Sequence, residues 1–223
     1  MIKVVAFDLD DTLISEFEYI KSGYRAVAGE LLKKYNLLEN ETYDKLMSLF
    51  SEDSKNVFNR ILDEYGISYE KDDILSLVKV YREHMPEIDF FPDVIPTLTM
   101  LKKRGIKLGI ITDGYTITQT NKLKAVLADK YFDKIIITDL LGKEFWKPHP
   151  KSFEMMKEYF NVEWDEMAYV GDNPQKDFYI SKAYPLRTVR ILRDNSVYKD
   201  SEYREGIKES FKIDKLLDLD KVI

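Results

Sequence analysis

The sequence predicts an α/β fold, a parallel sheet with helices on both of its faces. Short apolar runs rich in β-branched residues are typical of strands that are buried on both faces. Such runs occupy residues 3–7, 107–112, 134–138, 167–171 and 187–192. Segments with apolar residues three and four positions apart, which is the helical period, separate the last four runs. Strand and helix therefore alternate along the chain, and this alternation indicates a parallel sheet.

A long helical segment interrupts this alternation between the first strand and the second. We predict helices there at residues 16–35, 40–50, 54–65 and 72–84. We interpret residues 14–89 as an inserted helical domain, and residues 1–13 and 90–223 as the α/β domain. In the α/β domain we predict helices at 94–104, 118–127, 149–160 and 174–183, the last strand at 187–192, and a final helix near 213–219.

Composition limits the classes of function. The chain has 223 residues, of which 44% are hydrophobic and 33% charged, as is typical of a soluble globular protein. The formal net charge of -6 argues against a general nucleic-acid binder, which usually carries a basic face. The absence of cysteine excludes disulfides and thiolate chemistry. Since no apolar run approaches the length of a membrane span and no secretory segment precedes Asp8, we expect a cytoplasmic enzyme.

Carboxylates directly follow the first strand. The apolar run ends at Asp8, Asp10 and Asp11, and alternation along an extended chain points Asp8 and Asp10 to the same side. Clustered carboxylates at the end of a buried strand repel one another and are costly to desolvate. A hard cation that prefers oxygen ligands, such as Mg²⁺, would offset both costs, whereas a solvated acidic turn is the simpler alternative.

Further polar residues follow two other strands and precede one helix: Thr112, Asp113 and Gly114; Asp172 and, a few residues on, Asp177; and Lys147, just before a helix start. Parallel crossovers place the carboxyl ends of all strands at one edge of the sheet, so these residues should meet Asp8 and Asp10 there. Phosphoryl transfer requires a cation, neutralising donors and a positioned nucleophile. The pattern therefore predicts a site for phosphoryl transfer.

The order of these residues resembles the four motifs of the haloacid dehalogenase (HAD)-like hydrolase superfamily. Asp8-Leu-Asp10-Asp-Thr is similar to the first motif, Ile110-Ile-Thr112-Asp-Gly to the second, Lys147-Pro to the third and Gly171-Asp172-Asn-Pro-Gln-Lys-Asp177 to the fourth. The resemblance covers nearly the whole chain, and its spacing matches the subfamily with a helical (C1-type) cap between the first two motifs. It implies a Rossmann-like core with an α-helical cap domain.

The resemblance also implies a role for each of these residues. Asp8 would be the nucleophile that forms an aspartyl-phosphate, with Asp10 as general acid and base. Mg²⁺ would be held by Asp8, the backbone carbonyl of Asp10 and Asp172, with Asp177 in support. The phosphoryl oxygens would be bound by Thr112, Asp113, Gly114 and Lys147.

Several activities remain open within the resemblance. Family dehalogenases lack the second acid of the first motif, so Asp10 favours a phosphatase that hydrolyses a small phosphorylated metabolite. Phosphosugar mutases keep both acids and are the alternative, while a non-catalytic binding protein with the same fold would not need the intact motif residues. Position 113 is often asparagine in the family. A carboxylate there is unfavourable beside a phosphate unless the side chain of Asp113 turns away and only its amide binds.

Overall fold

The computed structural model describes residues 1–194, 196 and 198–223. The chain forms two compact units, one made of Met1–Glu16 with Asp89–Ile223 and the other of Phe17–Ile88. The first is an α/β unit and the second is helical. None of the helices in the described residues combines the length and the apolar character needed to cross a lipid bilayer.

The regular elements follow one another in this order along the described residues. The strands are β1 (Val4–Phe7), β2 (Lys107–Thr112), β3 (Lys134–Ile137), β4 (Met167–Gly171), β5 (Arg187–Ile191) and β6 (Phe211–Ile213). The α-helices are α1 (Glu16–Tyr35), α2 (Glu39–Glu52), α3 (Val57–Glu64), α4 (Lys71–Glu83), α5 (Val94–Lys103), α6 (Thr116–Ala125) and α7 (Lys151–Phe160). Short 3-10 segments occupy Ala128–Lys130, Thr138–Leu141, Lys143–Phe145, Trp164–Glu166, Tyr179–Lys182, Arg204–Gly206 and Leu216–Lys221.

The strands form a parallel sheet in the order β3-β2-β1-β4-β5-β6. The central strand β1 pairs with β2 and β4, which places Phe7 level with Ile110 and with Val170. All four residues of β1 are buried, as the uninterrupted apolar run predicts. The carboxyl ends of β1, β2 and β4 consequently lie side by side at one edge of the sheet, where the polar residues of the motifs follow.

Helices and loops cover both faces of this sheet. On one face, Phe153 and Met156 of α7 pack in a core with Ala6, Ile111 and Tyr169. On the other face, the ring of Phe7 contacts the ring of Phe132, with centroids 6.1 Å apart. The α/β fold with a parallel sheet, predicted from the alternating pattern, is confirmed.

The helical unit has a core of its own. Helices α1 to α4 bury a cluster of apolar side chains that includes Val27, Leu31, Leu46, Ile61 and Leu62. Burial of each such side chain stabilises the folded state by about 1.5–3 kcal/mol. A helix as short as α3 is unstable by itself in water, so its stability comes from this packing. The three- and four-residue spacing of apolar residues in this segment therefore reflects a true buried face.

One helix predicted after β4 is wrong. Residues 174–183 form turns and the short 3-10 segment Tyr179–Lys182 instead of an α-helix. The side chain of Asn173 accepts a hydrogen bond from the N–H of Gln175 over 2.9 Å, and Asp177 Oδ2 accepts from the N–H of Asn173 over 2.9 Å. Such bonds from side chains to the backbone compete with helix formation.

The carboxyl-terminal segment also differs from its prediction. The final helix expected near residues 213–219 is present as the 3-10 segment Leu216–Lys221, and it follows the strand β6, which the sequence pattern did not predict. β6 pairs with β5, so that Arg190 lies level with Lys212. A three-residue edge strand is too short to show a period, and its pairing with β5 determines its conformation.

Candidate active site

Asp8 lies directly beyond the carboxyl end of the central strand. Its N–H donates to the carbonyl of Val170 in β4 over 2.8 Å, so sheet hydrogen bonding continues past the strand. The residue is buried, and its Oδ1 lies 2.8 Å from Lys147 Nζ. Burial is the main reason that the pKa of Asp8 rises to about 7; attraction to Lys147 opposes the rise, and repulsion from Asp177 adds to it.

Lys147 is the cation at the centre of a buried hydrogen-bond network. Besides Asp8, its Nζ donates to Asp177 Oδ1 over 2.8 Å and to the hydroxyl of Tyr169 over 2.8 Å. Burial lowers the pKa of Lys147, but the carboxylates of Asp177 and Asp8 outweigh it and hold the pKa well above its usual value. A fixed positive charge therefore lies beside the candidate nucleophile.

Three carboxylates at this edge have the chemistry of a cation site. Oxygen atoms of Asp8, Asp172 and Asp177 lie within 4.8 Å of one another, and all three residues are buried. Burial, followed by repulsion from Asp177 and Asp8, raises the pKa of Asp172 well above its usual value. Lys147 neutralises only part of this negative charge. The donor set is all oxygen, which is the set that Mg²⁺ prefers, so the residues fit such a cation.

The side chain of Asp10 is not part of that acidic cluster. Its Oδ1 accepts a hydrogen bond from Lys122 Nζ over 2.7 Å, and its Oδ2 accepts from Gln119 Nε2 over 2.9 Å. Lys122 Nζ also contacts Glu16 Oε2 at 2.5 Å. Burial raises the pKa of Asp10, but attraction to Lys122 and the bonds from Lys122 and Gln119 outweigh it, so the pKa is lowered. The same burial raises the pKa of Glu16 to about 8 against the attraction of Lys122.

Thr112 and Gly114 follow β2 at the same edge. Thr112 is fully buried, and its hydroxyl accepts from Gln119 Nε2 over 2.6 Å. Gly114 has φ +133°, which side chains rarely adopt, and a Cβ there would lie 3.0 Å from Gln119 Cδ. Gly114 therefore allows both the turn after β2 and the close approach of Gln119.

The side chain of Asp113 is held by other parts of the protein. Its Oδ1 accepts from the hydroxyl of Thr138 over 2.7 Å and from the N–H of Lys147 over 3.0 Å. Its Oδ2 accepts from Lys176 Nζ over 3.2 Å. These donors orient the carboxylate toward the backbone that carries Lys147. That Asp113 binds phosphate stays a prediction. Because its carboxylate is bonded elsewhere, its backbone amide is the group that would make this contact.

The site contains residues that sequence reasoning did not identify. Gln119, Lys122, Glu16 and Tyr169 all contact motif residues, yet each belongs to no motif that we recognised. Gln119 and Lys122 lie three positions apart on α6, and both are buried. The face that α6 buries is mostly polar, so the sequence has no apolar period there that could have indicated these two residues.

All of the site residues described above lie within a segment that resembles a known protein family. Residues 5–191 match the family model described as haloacid dehalogenase-like hydrolase. The chain belongs to this family.

Relatives of this HAD-like hydrolase are named phosphatases. Over 218 residues it is 31% identical to the glyceraldehyde 3-phosphate phosphatase of Methanocaldococcus jannaschii, covering 91% of this chain and 89% of that protein. It is 28% identical to the pyrophosphatase PpaX of Bacillus mycoides over 223 residues, covering 98% of this chain and 95% of that protein. This HAD-like hydrolase is a phosphatase that acts on phosphoric monoesters.

Solved structures agree with this membership. The HAD phosphatase from Thermococcus onnurineus superposes with a TM-score of 0.62 at 28% identity, covering 99% of this chain and 97% of that one. A putative beta-phosphoglucomutase from Thermotoga maritima superposes with a TM-score of 0.69 at 18% identity, with 100% of both chains covered. At 18% identity, the second comparison shows only that the two proteins share a fold.

Proposed function

We propose that the protein is a Mg²⁺-dependent phosphatase that hydrolyses a small phosphorylated metabolite through an aspartyl-phosphate on Asp8. The contact that carries this proposal is the 2.8 Å pair between Asp8 and Lys147, with two further carboxylates at the same strand ends. A nucleophile beside a fixed cation is the arrangement that attack on an anionic phosphate requires.

The proposed first step is attack by an oxygen of Asp8 on the phosphorus atom of the ester. The bond between phosphorus and the leaving oxygen breaks, and Asp10 gives its proton to that oxygen. Lys147, together with Thr112 and the amides after it, stabilises the charge on the phosphoryl oxygens. The alcohol then leaves, and the phosphoryl group remains on Asp8.

The proposed second step releases inorganic phosphate. Asp10 takes a proton from a water molecule, whose oxygen attacks the phosphorus atom, and the bond from phosphorus to Asp8 breaks. The ion pair between Asp10 and Lys122 favours the ionised form of Asp10, which acts as the base in this step and opposes the protonated form that the first step uses. Each turnover thus restores both carboxyl groups.

We propose that Mg²⁺ is held by Asp8 and Asp172 with the backbone carbonyl of Asp10, and that Asp177 supports it. A bound divalent cation supplies charge neutralisation between the nucleophile and an anionic substrate. The protein's own residues supply the nucleophile, orient the ester and exchange protons.

Glyceraldehyde 3-phosphate is the first substrate to test. Relatives of that name match at 31% identity over 91% or more of this chain. Inorganic pyrophosphate is the second, since the relatives named PpaX match over 98% of this chain. Parallel assays of both compounds, with other small phosphate esters, identify the preferred substrate class.

Metal removal and replacement of Asp8 test the proposal together. We expect EDTA to abolish phosphate release and Mg²⁺ to restore it, and Asp8→Asn to show no measurable turnover while remaining folded by circular dichroism. Asp129→Asn, at an exposed aspartate, is the matched control and should keep wild-type activity. Full turnover in metal-free enzyme or in Asp8→Asn would disprove the proposal.

A further inference from the structure

Helix α6 presents two buried hydrogen-bond donors to the two oxygens of a single carboxylate. Lys122 Nζ lies 2.7 Å from Asp10 Oδ1, and Gln119 Nε2 lies 2.9 Å from Asp10 Oδ2. Residues three apart on a helix lie on the same face, so one turn of α6 supplies both donors. With each oxygen bonded to a different donor, the carboxylate is fixed both in position and in the rotation of its plane.

The burial of these donors is costly for the fold. The side chain of Lys122 is only 2% exposed, and Gln119 is 1% exposed. Lys122 offsets the cost through its two carboxylate partners, Asp10 and Glu16. Yet a buried ion pair contributes little or nothing to stability relative to apolar side chains of similar volume. An apolar residue at position 122 would fill the space more simply, so the ion pair points to a function in the site.

Gln119 also links Asp10 to the phosphate-binding side of the site. The same Nε2 that bonds to Asp10 donates to Thr112 Oγ1 over 2.6 Å. Gly114 leaves room for this side chain, since a Cβ at position 114 would lie 3.0–3.1 Å from three atoms of Gln119. A single amide group therefore bridges the carboxylate of Asp10 and the hydroxyl of Thr112, the residue proposed to bind the phosphoryl group.

We infer that Lys122 and Gln119 are positioning residues that hold the Asp10 carboxylate where it exchanges a proton with the leaving oxygen and with water. The inference rests on the proposed function, because it requires Asp10 to be the general acid and base. Neither residue touches the substrate; both act through Asp10. The rate of proton transfer falls steeply when the donor and the acceptor are farther apart than a hydrogen bond. A displaced Asp10 therefore slows turnover although the phosphate still binds.

A double-mutant cycle tests this inference. Lys122→Met and Gln119→Met are each made in the wild-type enzyme and in Asp10→Asn, and kcat and KM are measured with an unactivated phosphate ester. In the wild-type background we expect kcat to fall at least about tenfold with KM changed less than about twofold, a fraction of the usual contribution of general acid–base catalysis. In the Asp10→Asn background we expect a further loss of less than about twofold.

The controls separate positioning from damage to the fold. Lys124→Met, on the exposed side of the same helix, should leave kcat unchanged. Gln119→Met removes no charge, so it carries the test by itself when Lys122→Met does not fold. p-Nitrophenyl phosphate, whose leaving group needs less protonation, should show a smaller loss in both single variants.

Each remaining outcome decides the inference. Losses that multiply in the Asp10→Asn background would show that the two residues act independently of Asp10, and would overturn it. Wild-type kcat in Lys122→Met or Gln119→Met would overturn it as well. If Asp10→Asn itself turned over at the wild-type rate, the proposed function and this inference would both fall, whereas multiplicative losses in a slow Asp10→Asn enzyme would leave the proposed function intact.

Discussion

Gly171, the last residue of β4, has room for no side chain. An added Cβ would lie 2.6 Å from Asp177 Cγ and 2.9 Å from Asp177 Cβ. Rotation of the Asp177 side chain cannot relieve the second contact, because that Cβ is attached directly to the backbone. Gly171→Ala must therefore displace the loop that carries Asp177.

The cost of this displacement follows from the contacts of Asp177. Its Oδ1 lies 2.8 Å from Lys147 Nζ, and its Oδ2 accepts the N–H of Asn173 over 2.9 Å. Breaking a buried ion pair costs about 3–5 kcal/mol, and about 2–4 °C of Tm is lost per kcal/mol in a chain of this size. We expect Tm to fall by about 6–20 °C. Because Lys147 then loses one of its two carboxylate partners, we expect kcat/KM to fall at least about a hundredfold, a loss of about 3 kcal/mol.

Gly109→Ala is the matched control in β2. A Cβ there would lie 2.6 Å from Sδ and 2.7 Å from Cε of Met156, the flexible end of a long side chain. Overpacking of this kind costs about 1–3 kcal/mol and leaves the strand ends in place. We expect kcat/KM within about threefold of wild type. Thermal denaturation and steady-state assays at saturating Mg²⁺ measure both quantities. Wild-type kcat/KM in Gly171→Ala, or an equal loss in Gly109→Ala, would refute this reasoning.

Two other predictions concern Asp10 and the helical unit. Asp10→Asn should turn over an unactivated ester at least about a hundredfold more slowly while still binding it. With p-nitrophenyl phosphate, phosphorylated Asp8 should accumulate in this variant, and rapid-quench mass spectrometry would detect it. Phosphate on another residue would contradict this assignment. On α1, Gly29→Ala enters open space and should stabilise the protein by about 0.5–1 kcal/mol. Gly23→Ala would place a Cβ 2.5 Å from the ring of Tyr81 and should destabilise the protein by about 1–3 kcal/mol. Denaturation midpoints that shift in the same direction for both variants would contradict this packing argument.

Much of the core of this protein can be predicted from local sequence. The run that ends at Phe7 is uniformly apolar and stops at Asp8, so a buried strand with a carboxylate at its end follows from residue chemistry alone. The polar residues after β2 and β4 are identified in the same way. Because the strands are parallel, their carboxyl ends have to share one edge, and the contact between Asp8 and Lys147 is a consequence of that topology.

Other features depended on partners that are distant in sequence. β6 has a strand conformation because β5 lies beside it, and residues 174–178 do not form a helix because the side chains of Asn173 and Asp177 bond to the backbone. A local pattern carries no information about such competition. For this reason residues 174–178 were predicted to be helical, and β6 was not predicted at all.

The sequence by itself determined which residues stand at the strand ends, because strand period and residue polarity are local properties. Only the tertiary structure decided what the carboxylate of Asp10 contacts. Lys122 is 112 positions away from Asp10 in the chain and meets it because α6 begins just after β2, whose carboxyl end lies beside that of β1. The orientation of Asp113 toward the backbone of Lys147 was settled in the same way. Charges buried together in the fold must pair with whichever partner the packing supplies, and that partner is specified by distance in space and not along the chain.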